Sequence, residues 1–198
     1  MNRRCLSLAI ALTVGAPAGV VALVAGASVA EASLFREATL EHLASRSTMV
    51  IEGTTVEARS QWEDIPNVGR RIVTYTRVTP SRSIVGSSSG DVWVRTLGGR
   101  IDKIGQIVEG EAKLGLHRKV LLFLRPAVSA AGTMSVTEMG QGHYLLDADD
   151  KGVARLKASI PTHLLTRAET GTGARVVLEG KTIEEAAASI VAARSVKP

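Results

Sequence analysis

The sequence predicts a mainly β fold: a small closed or partly open antiparallel barrel, with a short helix ahead of it and a second helix at its end. Three observations lead there. After about residue 32 the chain divides into about seven to nine short runs rich in Val, Ile, Thr and aromatic residues, with Gly, Pro, Asn or Asp punctuation roughly every 8–12 residues. Strands do not alternate with long helices, which argues against a parallel α/β sheet. Many short strands leave many edges, and curling the sheet on itself removes most of them.

The first 32 residues read as a signal peptide. Arg3 and Arg4 make a basic start, and no further charge occurs before Glu31. The end of the segment, Ser28-Val29-Ala30 or Ala30-Glu31-Ala32, fits a small-x-small cleavage site. An uncleaved anchor is the alternative, since about 26 apolar or small residues reach across a bilayer core of ~30 Å. Gly15, Pro17, Gly19 and Gly26 interrupt that stretch and favour cleavage. The expected location is secreted or periplasmic, with no membrane contact after cleavage. The only cysteine, Cys5, lies in this segment, so the mature chain has no disulfide and no thiolate metal site. Its stability has to come from a hydrophobic core.

Residues 33–160 are expected to form the barrel. Leu34 to Ser45 reads as a helix, with Leu40, Leu43 and Ala44 on one face and Thr39 as N-cap. Met49 to Glu57 is a β-branched run with Gly53 as a bulge. Glu63 to Gly69, with Pro66 and Asn67, reads as a loop. Arg71 to Thr79 is a strand that Arg82 to Val85 extends or follows, and Gly86 to Gly90 is a flexible turn. Val92 to Leu97 and Ile104 to Val108 are further strands, separated by Gly98-Gly99. Lys119 to Leu124 is an almost continuous apolar run, the pattern of a strand buried on both faces and the best candidate for the centre of the core. Met134 to Met139, His143 to Asp147 and Val153 to Lys157 complete the set, the last two joined by an Asp149–Gly152 turn.

Residues 161–198 are expected to add a strand, Ala174 to Leu178, and a helix on the same domain. Thr182 and Glu185 form a capping box. Ile183, Ala186, Ala187, Ile190 and Val191 then make one apolar stripe, which docks on the body of the domain.

Composition narrows the functional classes. Aromatic residues are 3% of the chain, too few for the stacking platforms of a single-stranded nucleic acid groove or a sugar cleft, so no nucleic acid is expected as a partner. Without residues 1–32 the chain keeps 22 basic and 18 acidic side chains, a mild excess that is scattered along the sequence. The expected partner is an unidentified protein or an anionic surface ligand.

The stretch from Ser47 to about Asp147 resembles a family of exported, uncharacterised bacterial β-domains. The resemblance rests on a helix ending in Ser and the pattern Met49-Val50-Ile51-Glu52-Gly53-Thr54-Thr55-Val56. It continues through Gln61-Trp62, the strand Ile72 to Val78, the strand ending in Gly98-Gly99, Gly105-Gln106, Gly110-Glu111, the apolar strand Val120 to Leu124 and the Gly140 to Leu146 strand. The order is also similar to oligonucleotide/oligosaccharide-binding (OB) barrels as they occur in netrin-like modules. Those modules begin with disulfide-bonded cysteines that this chain lacks, and Leu116-His117-Arg118 stands where a Gly-Glu pair is usual. The resemblance implies an OB-like fold and export, and no reaction.

Each catalytic or metal motif has a plainer reading. Gly86-Ser87-Ser88-Ser89-Gly90 matches G-x-S-x-G, and Asp147 and His163 follow in the order of a hydrolase triad. That motif needs a strand-to-helix elbow, whereas a strand follows here, so a flexible turn is expected. Asp147 to Gly152 begins like a calcium loop, but Lys151 and Ala158 stand at its fifth and twelfth places. His42, His117, His143 and His163 lack ligand spacing and are expected as surface or capping residues. Trp62 and Trp93 are expected in the core. Arg95, Arg100, Lys103 and Arg118 are the candidates for an anion-binding rim at one barrel face. No catalytic residue, cofactor or metal is expected. The leading expectation is an exported, non-enzymatic binding or interaction domain; the alternatives are a hydrolase using Ser88 and a membrane-tethered structural protein.

Overall fold

A computed structural model describes residues 34–195, so the signal-peptide reading and Cys5 lie outside the described residues. In chain order the elements are β1 (Phe35–Arg36), α1 (Leu40–Arg46), β2 (Met49–Ile65), β3 (Gly69–Val85), β4 (Val92–Leu97), β5 (Gly99–Ile101), β6 (Ile104–Gln106), β7 (Lys119–Pro126), β8 (Met134–Val136), β9 (His143–Ala148), β10 (Ala154–Ala158), β11 (Leu165–Thr166), α2 (Ala174–Leu178) and α3 (Ile183–Ser195).

The fold is mainly β. One seven-stranded sheet runs β10-β9-β7-β2-β3-β4-β8, and β8 also pairs with β7. Strands β7, β2, β3, β4 and β8 therefore form a ring of five, a barrel-like, OB-like arrangement. All its pairings are antiparallel except the short β4–β8 contact, which is parallel. Gly53 sits at one of three register shifts of β2 against β3, and a Cβ there would lie 2.8 Å from Thr79 O. The close approach admits only glycine and lets β2 bend around the ring.

Strand β7 separates two cores, as its apolar run predicts. Val120, Leu122 and Leu124 face the ring interior with Ile51, Val78, Val92, Val94, Ala112 and Val136. Leu121 and Phe123 face the other way, into a layer built from Leu40, Leu43, Tyr144, Leu156, Leu178, Ile183, Ala186 and Ile190. All five residues from Val120 to Leu124 are completely buried, worth about 1.5–3 kcal/mol each for the larger side chains.

The helices cover that second layer. Thr39 Oγ1 caps α1 by accepting from His42 N at 3.2 Å. Thr182 and Glu185 cap α3 reciprocally, with Thr182 N donating to Glu185 Oε2 at 2.9 Å and Glu185 N to Thr182 Oγ1 at 3.4 Å. Arg194 Nη1 donates to Ala44 O and Ser47 O, tying the end of α3 to the end of α1.

Several elements differ from the sequence reading. Residues 174–178 are helical: Ala174 and Leu178 are buried one turn apart, while Val176, which suggested a strand, points to solvent. In α3, Val191 is exposed and Ala193 takes the inward place. The β2–β3 hairpin runs through most of the expected Glu63–Gly69 loop, leaving a turn at residues 66–68 with Asn67 at φ 62°. The Met134–Met139 strand stops at Val136, because Glu138 and Met139 are both left-handed (φ 52° and 56°).

Candidate functional site

The inner face of β2, β3 and β4 changes chemistry along its length. At one end Val78 pairs with Val92, inside the apolar ring core. Toward the other end the strict alternation of β3 and β4 places hydroxyls inward: Thr76 stands beside Ala58 and Val94, and Ser60, Thr74 and Thr96 form the next cross-strand row. Residues 106–115 fold over this end. Together they line a cavity of about 520 Å³ that is open to solvent on one side. Ser60, Thr74, Thr76 and Thr96 line its hydroxyl wall, and Leu97, Val108, Ala112 and Leu114 line its apolar one.

Three polar links hold the cover in place. Gln106 Oε1 accepts from Ile72 N at 2.8 Å. Glu111 accepts from Leu97 N at 3.2 Å and from Ala112 N at 3.0 Å. Gly115 O accepts from Thr55 Oγ1 at 2.6 Å. Gly99 makes the close approach possible. Its φ is 133°, and a Cβ there would fall 2.1 Å from Thr74 Oγ1 and 2.7 Å from Ser60 Oγ.

Two groups in the cavity wall are costly to bury. Burial pushes the Glu111 carboxyl above the usual carboxylate range, against the opposing pull of its two backbone N–H donors and the Arg95 charge. The Thr76 hydroxyl is fully buried and has no hydrogen-bond partner in the protein. Native interiors rarely leave such a group unpaired.

The sequence-derived candidates lie elsewhere and stay apart. Arg95 is only 9% exposed, and its Nε and Nη2 donate to Glu63 Oε2 at 3.1 and 2.8 Å. Tyr75 OH donates to the other oxygen of Glu63 at 2.5 Å. Burial alone would raise the Glu63 carboxyl; the Tyr75 and Arg95 hydrogen bonds outweigh it and hold the carboxyl low. Arg118 Nη2 pairs with Asp147 Oδ1 at 2.5 Å, and Arg100 Nε donates to Asp102 O at 3.0 Å. Lys103 lies in the exposed turn between β5 and β6. The proposed cationic rim thus has two of its members, Arg95 and Arg118, already bound to carboxylates.

Ser88 donates to Gly90 O inside its own turn, and Asp147 is engaged by Arg118. Among the described residues, neither is hydrogen-bonded to His163. In the stretch that begins like a calcium loop, Asp149 Oδ1 accepts from Lys151 N and Val153 N, both at 2.9 Å, and Oδ2 accepts from Arg155 Nε at 2.7 Å. That is a hairpin turn with its carboxylate in use. Among the described residues no cluster of three or more His, Cys, Asp or Glu side chains has metal-binding geometry.

The tryptophans are not core residues. Trp62 is 37% exposed under the Arg70 guanidinium, and Arg59 lies 4.6 Å above the Trp93 ring. His143, expected at the surface, is completely buried with both ring nitrogens unpartnered. His42 is a surface residue, paired with Glu138 at 3.0 Å.

Sequence reasoning missed the cavity. Its signal was present in the alternation of Thr74 and Thr76 with apolar or aromatic neighbours, and of Thr96 with Val94 and Val92. The cover could not be foreseen, because residues 107–118 carry no regular period. Compared with protein-family models, curated proteins and solved structures, the chain matches none.

Proposed function

We propose that this chain is an exported, non-enzymatic binding domain of OB-like form, and that its ligand occupies the cavity between the β2–β3–β4 hydroxyl wall and residues 106–115. The observation that carries the reading is the cavity itself. Its size falls within the usual range for small-molecule sites, and its lining combines apolar side chains with a few polar groups that still have hydrogen-bonding capacity. Export is supported by the basic start, the uncharged apolar stretch and the small residues before Ser33.

The test is a thermal-shift screen of small amphipathic molecules against the wild-type protein and an Ile107→Trp variant. Ile107 lines the cavity and is 73% exposed, so the larger ring blocks the mouth without entering the core. Compounds that raise the wild-type melting temperature and leave the variant unmoved support the reading. Equal shifts in both proteins place binding elsewhere and overturn it.

A further inference from the structure

The ligand class follows from counting which hydrogen-bonding capacity the cavity wall still has, an inference that rests on the binding reading above. Thr74 Oγ1 spends its single proton on Gly98 O at 2.7 Å. The 2.9 Å Ser60–Thr74 contact must therefore use the proton of Ser60. Thr96 directs its proton toward Thr74 O at 3.4 Å. Ser60 and Thr96 are left with lone pairs only. Glu111, with one backbone N–H on each oxygen, also keeps acceptor capacity. On the donor side remains the Gln106 amide, whose oxygen alone is engaged; the Thr76 hydroxyl is fully buried behind the wall. The wall thus offers chiefly acceptors, one of them a carboxylate. The Leu97 N–Glu111 bond holds that carboxylate at β4, beside the neighbour of Thr96 and across β3 from Ser60.

We infer that the cavity takes a small amphipathic amine, with its protonated amino head on the Glu111 carboxylate at the β4 side of the wall and its apolar body among Leu97, Val108, Ala112 and Leu114. An ammonium group has three donors and no acceptor, which suits a carboxylate with lone pairs to spare in a wall whose hydroxyl protons are already spent. Its charge compensates a carboxylate that is costly to bury alone, and charge-assisted hydrogen bonds are the stronger kind. A carboxylate or phosphate head would set like charge against Glu111 and find few donors. Lys113, the other charged side chain of the lining, is exposed at the rim, where water screens it.

The experiment compares n-hexylamine, 1-hexanol and hexanoate by isothermal titration at neutral pH, with the full-length mature protein and with Glu111→Gln. The expected order is amine, alcohol, carboxylate, with the amine at least tenfold tighter than the alcohol. Glu111→Gln is expected to bring the amine within about threefold of the alcohol. An amine no tighter than the alcohol, or a carboxylate that binds best, overturns the amine assignment and leaves the cavity reading standing. Failure of all three to bind overturns both. A persisting amine preference in a folded Glu111→Gln protein also overturns the assignment. The wild-type series decides the ligand class even if that variant does not fold.

Discussion

His143 should dominate the acid sensitivity of this domain between neutrality and pH 4.5. Its ring is completely buried on β9, beside Leu122 of β7, and neither nitrogen has a hydrogen-bond partner. Burial disfavours the charged form and lowers its pKa from 6.5 to about 4. Below pH 6.5 the unfolded chain takes up a proton that the folded chain refuses. The folded state is therefore fully favoured above pH 6.5 and loses stability as the pH falls toward 4. At about 1.4 kcal/mol per tenfold difference in proton affinity, the full effect is about 3 kcal/mol. About 2.5 kcal/mol of it is gone by pH 4.5, where Glu63, whose carboxyl is held low, is only beginning to add to the loss and Glu111, whose carboxyl burial raises, works in the opposite direction; both are common to wild type and variant. The perturbation is His143→Leu, which keeps similar volume and removes both the titration and a buried N–H without an acceptor. Urea unfolding at pH 7.5 and pH 4.5 measures it. The wild type should lose about 2.5 kcal/mol more than the variant over that interval, and the variant should be as stable as the wild type, or more so, at pH 7.5. A variant that keeps the wild-type pH slope refutes the reasoning.

Three further outcomes follow from the geometry. Gly99→Ala forces a side chain onto Thr74 Oγ1 at φ 133°, and chemical denaturation should show a loss of about 2–4 kcal/mol. Arg95→Leu leaves Glu63 partly buried without its cation and should cost about 2–4 kcal/mol, while the double variant with Glu63→Leu should recover most of it in a double-mutant cycle. Thr182→Ala removes the hydroxyl half of the α3 capping box and should lower stability by about 1 kcal/mol, read as a shift in the unfolding midpoint at unchanged slope.

Features carried by local chemistry were legible in the sequence. The five buried residues of β7, the Gly53 irregularity, the Thr39 cap and the Thr182/Glu185 box each follow from neighbours a few positions away. What was not legible depends on long-range partners. Residues 174–178 have β-branched content but become helical because Ala174 and Leu178 dock beside α1, with Ala174 N bonded to Ala38 O. Trp62 and Trp93 are large enough for a core, yet their strand parity puts them on faces where Arg70 and Arg59 lie over them. Arg95 reads as a free surface cation until β2 brings Glu63 across β3 to meet it. Glu111 and Gln106 sit in an aperiodic segment, and only the ring shows that they close a cavity.

The cavity reading is tested most directly by mapping amide shifts in a ¹⁵N-labelled sample of the protein titrated with n-hexylamine. Saturable shifts concentrated at Ser60, Thr74, Thr76, Thr96 and residues 106–115 are the predicted result. Shifts centred instead on Arg59 and Trp93 at the outer face, or no saturable shifts at all, would contradict it.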